Sequence, residues 1–253
     1  MTENQLPKFV GIPLIEYLKD FPQADFLRGE FGKYILKEYN SRVKEDYSDN
    51  KNLRVLSYSD GIIKGSNSFA VVLINQIIRE NNLRTATQAD LEKILRLNAL
   101  NLKGFYEDSA LVLRSEGEPN SYLAKDLLRQ LPAKQKLPVM ISLSDLELKK
   151  DDNSDYGLAF NLRDNSKVIY NHILEGNTGF FYSKDLDKNG LPKEVGLKGN
   201  RNFYSGNSGL SRLYLDEDLD QYADDDDLAI SGDSCRVVIV KSAKGAAKKF
   251  GRI

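Results

Sequence analysis

Apolar residues recur every three or four positions in the first half of this chain and every second position after Pro138. Between Ala24 and Asp46, Phe31, Tyr34, Ile35, Tyr39 and Val43 fall on one side of a helical wheel, with Lys33, Lys37, Glu38 and Arg42 elsewhere. That spacing predicts an amphipathic helix with an aromatic-rich inner stripe. A shorter helix is expected over Pro13–Phe21, with Pro22 in the break, and a strand over Leu53–Ser59 after the polar run Lys44–Asn52. The segment Phe69–Ile78 is apolar nearly all round, so a buried helix is expected there, starting in the Gly65–Ser68 cluster and ending near Asn81. Thr87 followed three residues later by Asp90 predicts a capped helix start, with Leu91, Ile94 and Leu95 facing inward.

Two stretches echo each other. Val55–Phe69 and Leu111–Leu131 both run apolar strand, Gly-containing loop, Asn-Ser-aromatic, helix. A repeat of that kind predicts two parallel strands side by side with helices above, whereas shared capping chemistry alone gives the same pattern. Beyond Pro138 strands are expected at 139–150, 156–164, 167–174, 179–184, 193–199, 211–216 and 236–241. Asp164-Asn165 reads as a tight hairpin between two of these, and Asn189-Gly190 as a second turn. Short connections favour an antiparallel meander. The expected fold class is α+β: a helix-rich mixed half over residues 1–135, an antiparallel β-rich half over 136–241, and a basic tail over 242–253. The two halves are free to share one sheet.

Composition changes this picture little. The chain has 253 residues, 41 % hydrophobic and 29 % charged, with a net charge of −1, which fits a soluble globular protein with a sizeable core. No apolar run approaches the roughly 18 residues of a membrane span, and the N-terminal residues lack the pattern of a secretory signal. One cysteine, Cys235, fits a reducing compartment, so a cytoplasmic protein is expected. A single histidine, His172, placed by alternation on a strand face with Tyr170 and Leu174, excludes sites built on several imidazoles. Any metal would be held by oxygen, pointing to Mg2+ or Ca2+.

Charge is unevenly distributed. Leu213–Asp233 gathers nine carboxylates and no Lys or Arg. Lying between two expected strands, it reads as an acidic loop whose repulsion is relieved by solvent, a cation or a basic partner. Asp216, Asp218, Asp220, Asp224 and Asp226 are candidate cation ligands there. Asp185, Asp187, Asn189 and Gly190 reproduce the first half of a calcium-loop pattern, but Gly196 stands where a bidentate glutamate is needed, and a hairpin turn reads better. Lys64, Gly65, Ser66 and Ser68 form a candidate anion site at a helix start, without the spacing of a nucleotide-binding loop. Phe180, Phe181, Tyr182, Phe203 and Tyr204, with Arg201, belong to Gly- and Asn-rich stretches; core and turn roles are the default for them, and stacking on a base or sugar is the alternative. The charge balance disfavours nucleic acid as a partner. The tail, with Lys244, Lys248, Lys249 and Arg252, is the nearest concentrated positive charge. Two functions follow. The first is a non-enzymatic interaction protein that associates with a partner or with itself through the acidic loop and basic tail. The second is an Mg2+- or Ca2+-dependent enzyme on a phosphorylated substrate, with the aspartates on the ion and Lys64 and Ser66 facing the phosphate. No positioned nucleophile or general base supports the second, which ranks below the first.

Overall fold

A computed structural model describes residues 7–13 and 23–241. The chain begins with two strands, Ile12–Pro13 (β1) and Gln23–Phe26 (β2), and the helix Gly29–Asp46 (α1). Next come the hairpin Ser57–Ser59 (β3) and Ile62–Lys64 (β4), the helix Ser68–Ile78 (α2) and the strand Leu83–Thr85 (β5). Gln88–Arg96 (α3), Glu107–Leu113 (β6) and Ser121–Gln130 (α4) complete the helical part. Strands then dominate: Val139–Ser142 (β7), Leu146–Lys150 (β8), Leu158–Leu162 (β9), Val168–Tyr170 (β10), Thr178–Phe181 (β11), Arg201–Ser205 (β12), Leu210–Leu215 (β13), Gln221–Ala223 (β14) and Val238–Lys241 (β15). The protein is a mixed α+β fold, with its helices early and a large sheet later.

That sheet has seven strands in the order β10-β7-β6-β13-β14-β12-β11, antiparallel except for the parallel pair β12–β14. A second sheet orders β1-β2-β15-β5. Strands from both sides of the period change therefore share each sheet: β6 lies between β7 and β13, and β15 between β2 and β5. Alternation along β6 assigns the two faces. Leu111 and Leu113 join the main core with Phe69, Leu123, Ala124 and Leu127 of α2 and α4, together with Phe31, Ile35 and Tyr39 of α1. Ala110 and Val112 point the other way, to a smaller core with Met140, Phe181, Phe203, Leu213 and Ala223. On the first face α2 packs over β6, and α4 reaches β13, whose Leu210 joins the same core.

Local signals that complete themselves within one turn are realised. Thr87 Oγ1 accepts from Asp90 N while the Asp90 carboxylate accepts from Thr87 N, a reciprocal cap on α3. Asn67 caps α2 by accepting from Ala70 N at 2.8 Å, and a 3-10 turn ends at Asn81, followed by Asn82 at φ +56°.

Several expectations are corrected. The first helix starts at Gly29, because Gln23–Phe26 is drawn into a strand by β15. In the Leu53–Ser59 stretch only Ser57–Ser59 is a strand; Leu53 is buried in a turn whose carbonyl accepts from Tyr39 Oη at 2.7 Å. Of the short helix expected over Pro13–Phe21, Pro13 belongs to β1 and the remainder lies outside the described residues. The echoed strands are not side by side: β4 pairs with β3, and β6 is in the large sheet. Asn67 is extended and caps, while Asn120 is left-handed at φ +59° and spends its side chain on the Leu210 and Asp226 carbonyls. The Asp164-Asn165 turn forms, but it links β9, paired with β8, to β10, paired with β7, so it is no hairpin. Residues 193–199 form no strand, only a bridge from Gly196 to Phe180. His172 is exposed in a 3-10 turn after β10.

Candidate functional site

The acidic stretch is not one loop. It contains β14, so that β13, a five-residue turn and β14 form a reversal in which Tyr214 sits directly opposite Tyr222. The turn is built from aspartates. Asp216 accepts from the backbone N–H groups of Asp218 and Asp220, at 3.0 and 2.7 Å, and Leu219 takes a positive φ of 73°. Asp220 accepts from Asn202 N and Nδ2, at 2.6 and 2.7 Å, which ties the start of β14 to β12. Farther on, Asp225 accepts from Asp227 N and Asp227 from Ala229 N, both at 3.0 Å. Four of the nine carboxylates thus serve as turn and strand-end acceptors.

β14 completes a row of tyrosines on the first face, toward the β14–β12 side of the sheet. Tyr204 of β12 stacks on Tyr222 at 4.4 Å between ring centroids, and Tyr222 on Tyr214 at 5.3 Å. Tyr106, just before β6, tilts against Tyr214 at 5.7 Å. Strand spacing of about 4.8 Å makes such ladders the natural result of like residues in register. Asn202 and Tyr204 share this face by alternation, and Phe180 lies opposite Asn202, 44 % exposed. The row is therefore graded: Tyr214 is buried, Tyr204, Tyr222 and Tyr106 are half-buried, and Phe180 is exposed.

Carboxylates border it. Burial first, then Glu217 and Asp216, raise the Tyr106 phenol above the usual tyrosine range. Tyr222 is raised by burial, then by Tyr204, Asp216 and Asp220; Tyr214 is raised by burial and by Asp225 and Asp224, partly opposed by Arg212. All three stay neutral at physiological pH. Asp216 and Asp224 are themselves raised, by burial and then by neighbouring aspartates, a sign of crowded negative charge. One cation already answers it from within. Arg212 lies 4.1 Å above the Tyr214 ring, held by Asp225 at 2.7 Å and by the buried Asp108 at 3.2 Å. A guanidinium thus lies on a tyrosine between two carboxylates, with Arg212, Tyr214 and Asp108 all buried.

The other expected site residues are dispersed. Asp187 points its carboxylate inward, accepting from Asn189 N, Leu191 N, Asn171 Nδ2 and Asn189 Nδ2. It folds the Asn189-Gly190 turn, while Asp185 is exposed. Asp218, Asp224 and Asp226 are exposed, and among the described residues no group of three or more His, Cys, Asp or Glu side chains converges as a metal centre requires. Lys64 turns back to Asp60; Ser66 and Ser68 are buried, and Ser66 donates to the Arg236 carbonyl at 2.8 Å. Gly65, at φ +86°, lies so close to the Val55 carbonyl that a Cβ has no room. Segment 229–236 covers this helix start, and the four residues do not converge on one opening. Of the aromatics in the Gly- and Asn-rich stretches, Phe181 and Phe203 are core residues, and Arg201 is buried beside Phe181 at 4.9 Å. Tyr106, Tyr214 and Tyr222 were not anticipated. The signal was present in "YLDEDLDQY", two tyrosines placed symmetrically about an aspartate-rich turn.

Among the described residues no helix is long and apolar enough to cross a membrane. Comparison with protein-family models, with curated proteins and with solved structures finds no match to this chain.

Proposed function

We propose that this is a binding protein that self-associates, one copy seating the basic tail of another on the carboxylate-bordered tyrosine face. The observation that carries the reading is the stack Tyr204–Tyr222–Tyr214 beside Asp216, Asp220 and Asp224, with the buried Arg212 on Tyr214 as an internal instance of a guanidinium on this ladder. Charge complementarity selects the occupant. Residues 242–253 bring four cations and no acid, with long apolar stems able to lie across tyrosines while their heads reach Asp216, Asp218 and Asp224. Seating on a second copy, not folding back, is the arrangement proposed, and the dependence of mass on concentration distinguishes the two. The buried free thiol of Cys235, pushed up to about 11 by burial and by Asp108, suits a reducing, cytoplasmic setting.

The test is sedimentation of the full chain and of a chain ended after Lys241, at about 50 mM and about 500 mM salt, where screening lengths differ roughly threefold. Concentration-dependent association of the full chain at low salt, lost at high salt, on truncation and in Tyr204→Ser/Tyr222→Ser, is the expected result. Equal masses for full and truncated chains in both buffers refute the reading.

A further inference from the structure

The opposite face of the large sheet carries a cavity of about 350 Å³ at the end where β6, β7 and β10 meet the start of α3. Its origin lies in the sequence. On this face β7 places Met140 and then Ser142, and β6 sets Ala110 directly opposite Ser142. Small and hydroxyl side chains stand where the alternation calls for large apolar ones, and the sheet is left with room above it. Ala110, Met140 and Ile169 make an apolar floor.

The polar lining is unevenly satisfied. Ser142 and Ser144, only 7 % and 8 % exposed, share one hydrogen bond of 3.0 Å. Two hydroxyls joined by one bond use one hydrogen, so the other hydroxyl hydrogen has no acceptor among the described residues, although both side chains border the cavity. Lys167 and Lys188 stand at the rim, and among the described residues neither makes an ion pair. The two carboxylates nearby are engaged: Asp90 by Arg84 through both terminal nitrogens, and Asp145 by the backbone N–H of Lys167. A buried spare donor and two ammonium groups, arriving from β7, from the residue before β10 and from the 187–190 turn, therefore face the space from three directions.

We propose that this cavity binds a small organic phosphate monoester, its apolar part on the Ala110–Met140–Ile169 floor and its phosphoryl oxygens toward Lys167, Lys188 and the Ser142–Ser144 pair. A tetrahedral dianion offers three acceptor oxygens to donors in three directions, whereas a planar carboxylate offers two. The volume is that of a small ligand pocket. The site is separate from the tyrosine face, and its existence does not depend on self-association.

Phenyl phosphate titrated into the full chain, followed by amide chemical shifts in nitrogen–proton correlation spectra, supplies the test, with benzoate and inorganic phosphate as comparison probes. Saturable shifts are expected around Ser142, Ser144 and Lys188 with phenyl phosphate, at least about fivefold weaker with inorganic phosphate, which lacks the apolar part. Lys167→Gln/Lys188→Gln, at exposed positions that leave melting unchanged, is expected to weaken phenyl phosphate by about tenfold or more, and Ser142→Ala by about fivefold. Absence of saturable shifts up to about 10 mM, retention of affinity within about twofold in the double lysine variant, or equal binding of benzoate overturns the proposal.

Discussion

Arg201→Met is the sharpest test of how α3 is fastened to the large sheet. Arg201 of β12 and Glu92 of α3 form a two-pronged ion pair of 2.6 and 2.8 Å, their side chains 7 % and 6 % exposed. Glu92 also accepts from Gln221 Nε2 at 2.6 Å and from Gln88 Nε2 at 3.1 Å, and Ser109 donates to Gln88. Methionine keeps most of the stem volume and removes the guanidinium. The carboxylate stays buried with two neutral donors that were already bound, so neither offsets the loss. Breaking a buried pair in this way costs about 3–5 kcal/mol. The expected fall in melting temperature is about 6–20 °C for a chain of this size. Urea denaturation of the parent, Arg201→Met, Glu92→Gln and the double variant provides the coupling energy, expected near 2 kcal/mol or more. A loss below about 1 kcal/mol at pH 7, or additive single costs, refutes the reasoning.

Three further outcomes follow from named contacts. Glu107 is 2 % exposed, its Oε1 without a partner among the described residues, and burial, reinforced by Asp108, pushes its carboxyl well above the ordinary range. The folded state then keeps a proton that the unfolded chain releases, so stability is lost as pH rises from the ordinary carboxyl value toward the raised one. Glu107→Gln, neutral in both states, is expected to flatten that fall in thermal melts between pH 5 and 7, and parallel slopes for parent and variant count against it. Gly190 has φ +84°, and a Cβ there falls 2.8 Å from the Gln88 carbonyl and Ala89 N, so Gly190→Ala is expected to cost at least about 2 kcal/mol in urea melts. A cost within about 0.5 kcal/mol removes the claim that this turn is wedged against α3. Asn67→Ala removes the α2 cap and the donor to the Asn52 and Ala229 carbonyls, an expected loss of about 2–3 kcal/mol with lower helical circular dichroism on heating. An unchanged melt contradicts it.

What the sequence disclosed depends on how far each signal had to reach. The α3 cap was legible because Thr87 and Asp90 complete it within four residues, and α2 because its apolar run needs no partner to identify it. β12 and β14 were hidden because they are five and three residues long, half of them polar, and their strand character comes from their neighbours β11 and β13 and from each other, with Asp220 tied to Asn202. β2 was absorbed into the expected helix for the same reason, its partner β15 lying more than two hundred residues away. The acidic stretch misled through charge. Counting its negative charges suggested a solvated loop, while the positions of Asp216 and Asp220 encoded a turn. The Arg212–Asp108–Asp225 cluster draws on three separate segments, and no spacing within any of them announces it.

The two proposed surfaces lie on opposite faces of one sheet, and a single buried chain of polar groups runs between the strands that carry them. Gln88 and Ser109 border the cavity; Gln88 leads to Glu92, Glu92 to Arg201, and Arg201 sits three residues before Tyr204 on β12. Such a network stiffens the sheet only while its members are paired, and two of its atoms, Arg201 Nε and Gln221 Oε1, have no partner among the described residues. The consequence is practical as well as structural. Any change at Glu92, Arg201 or Gln221 disturbs both faces, so a loss of binding in those variants separates nothing. Tyr204 and Tyr222 on one side, Lys167 and Lys188 on the other, lie outside the network, and only their effects assign a function to either face.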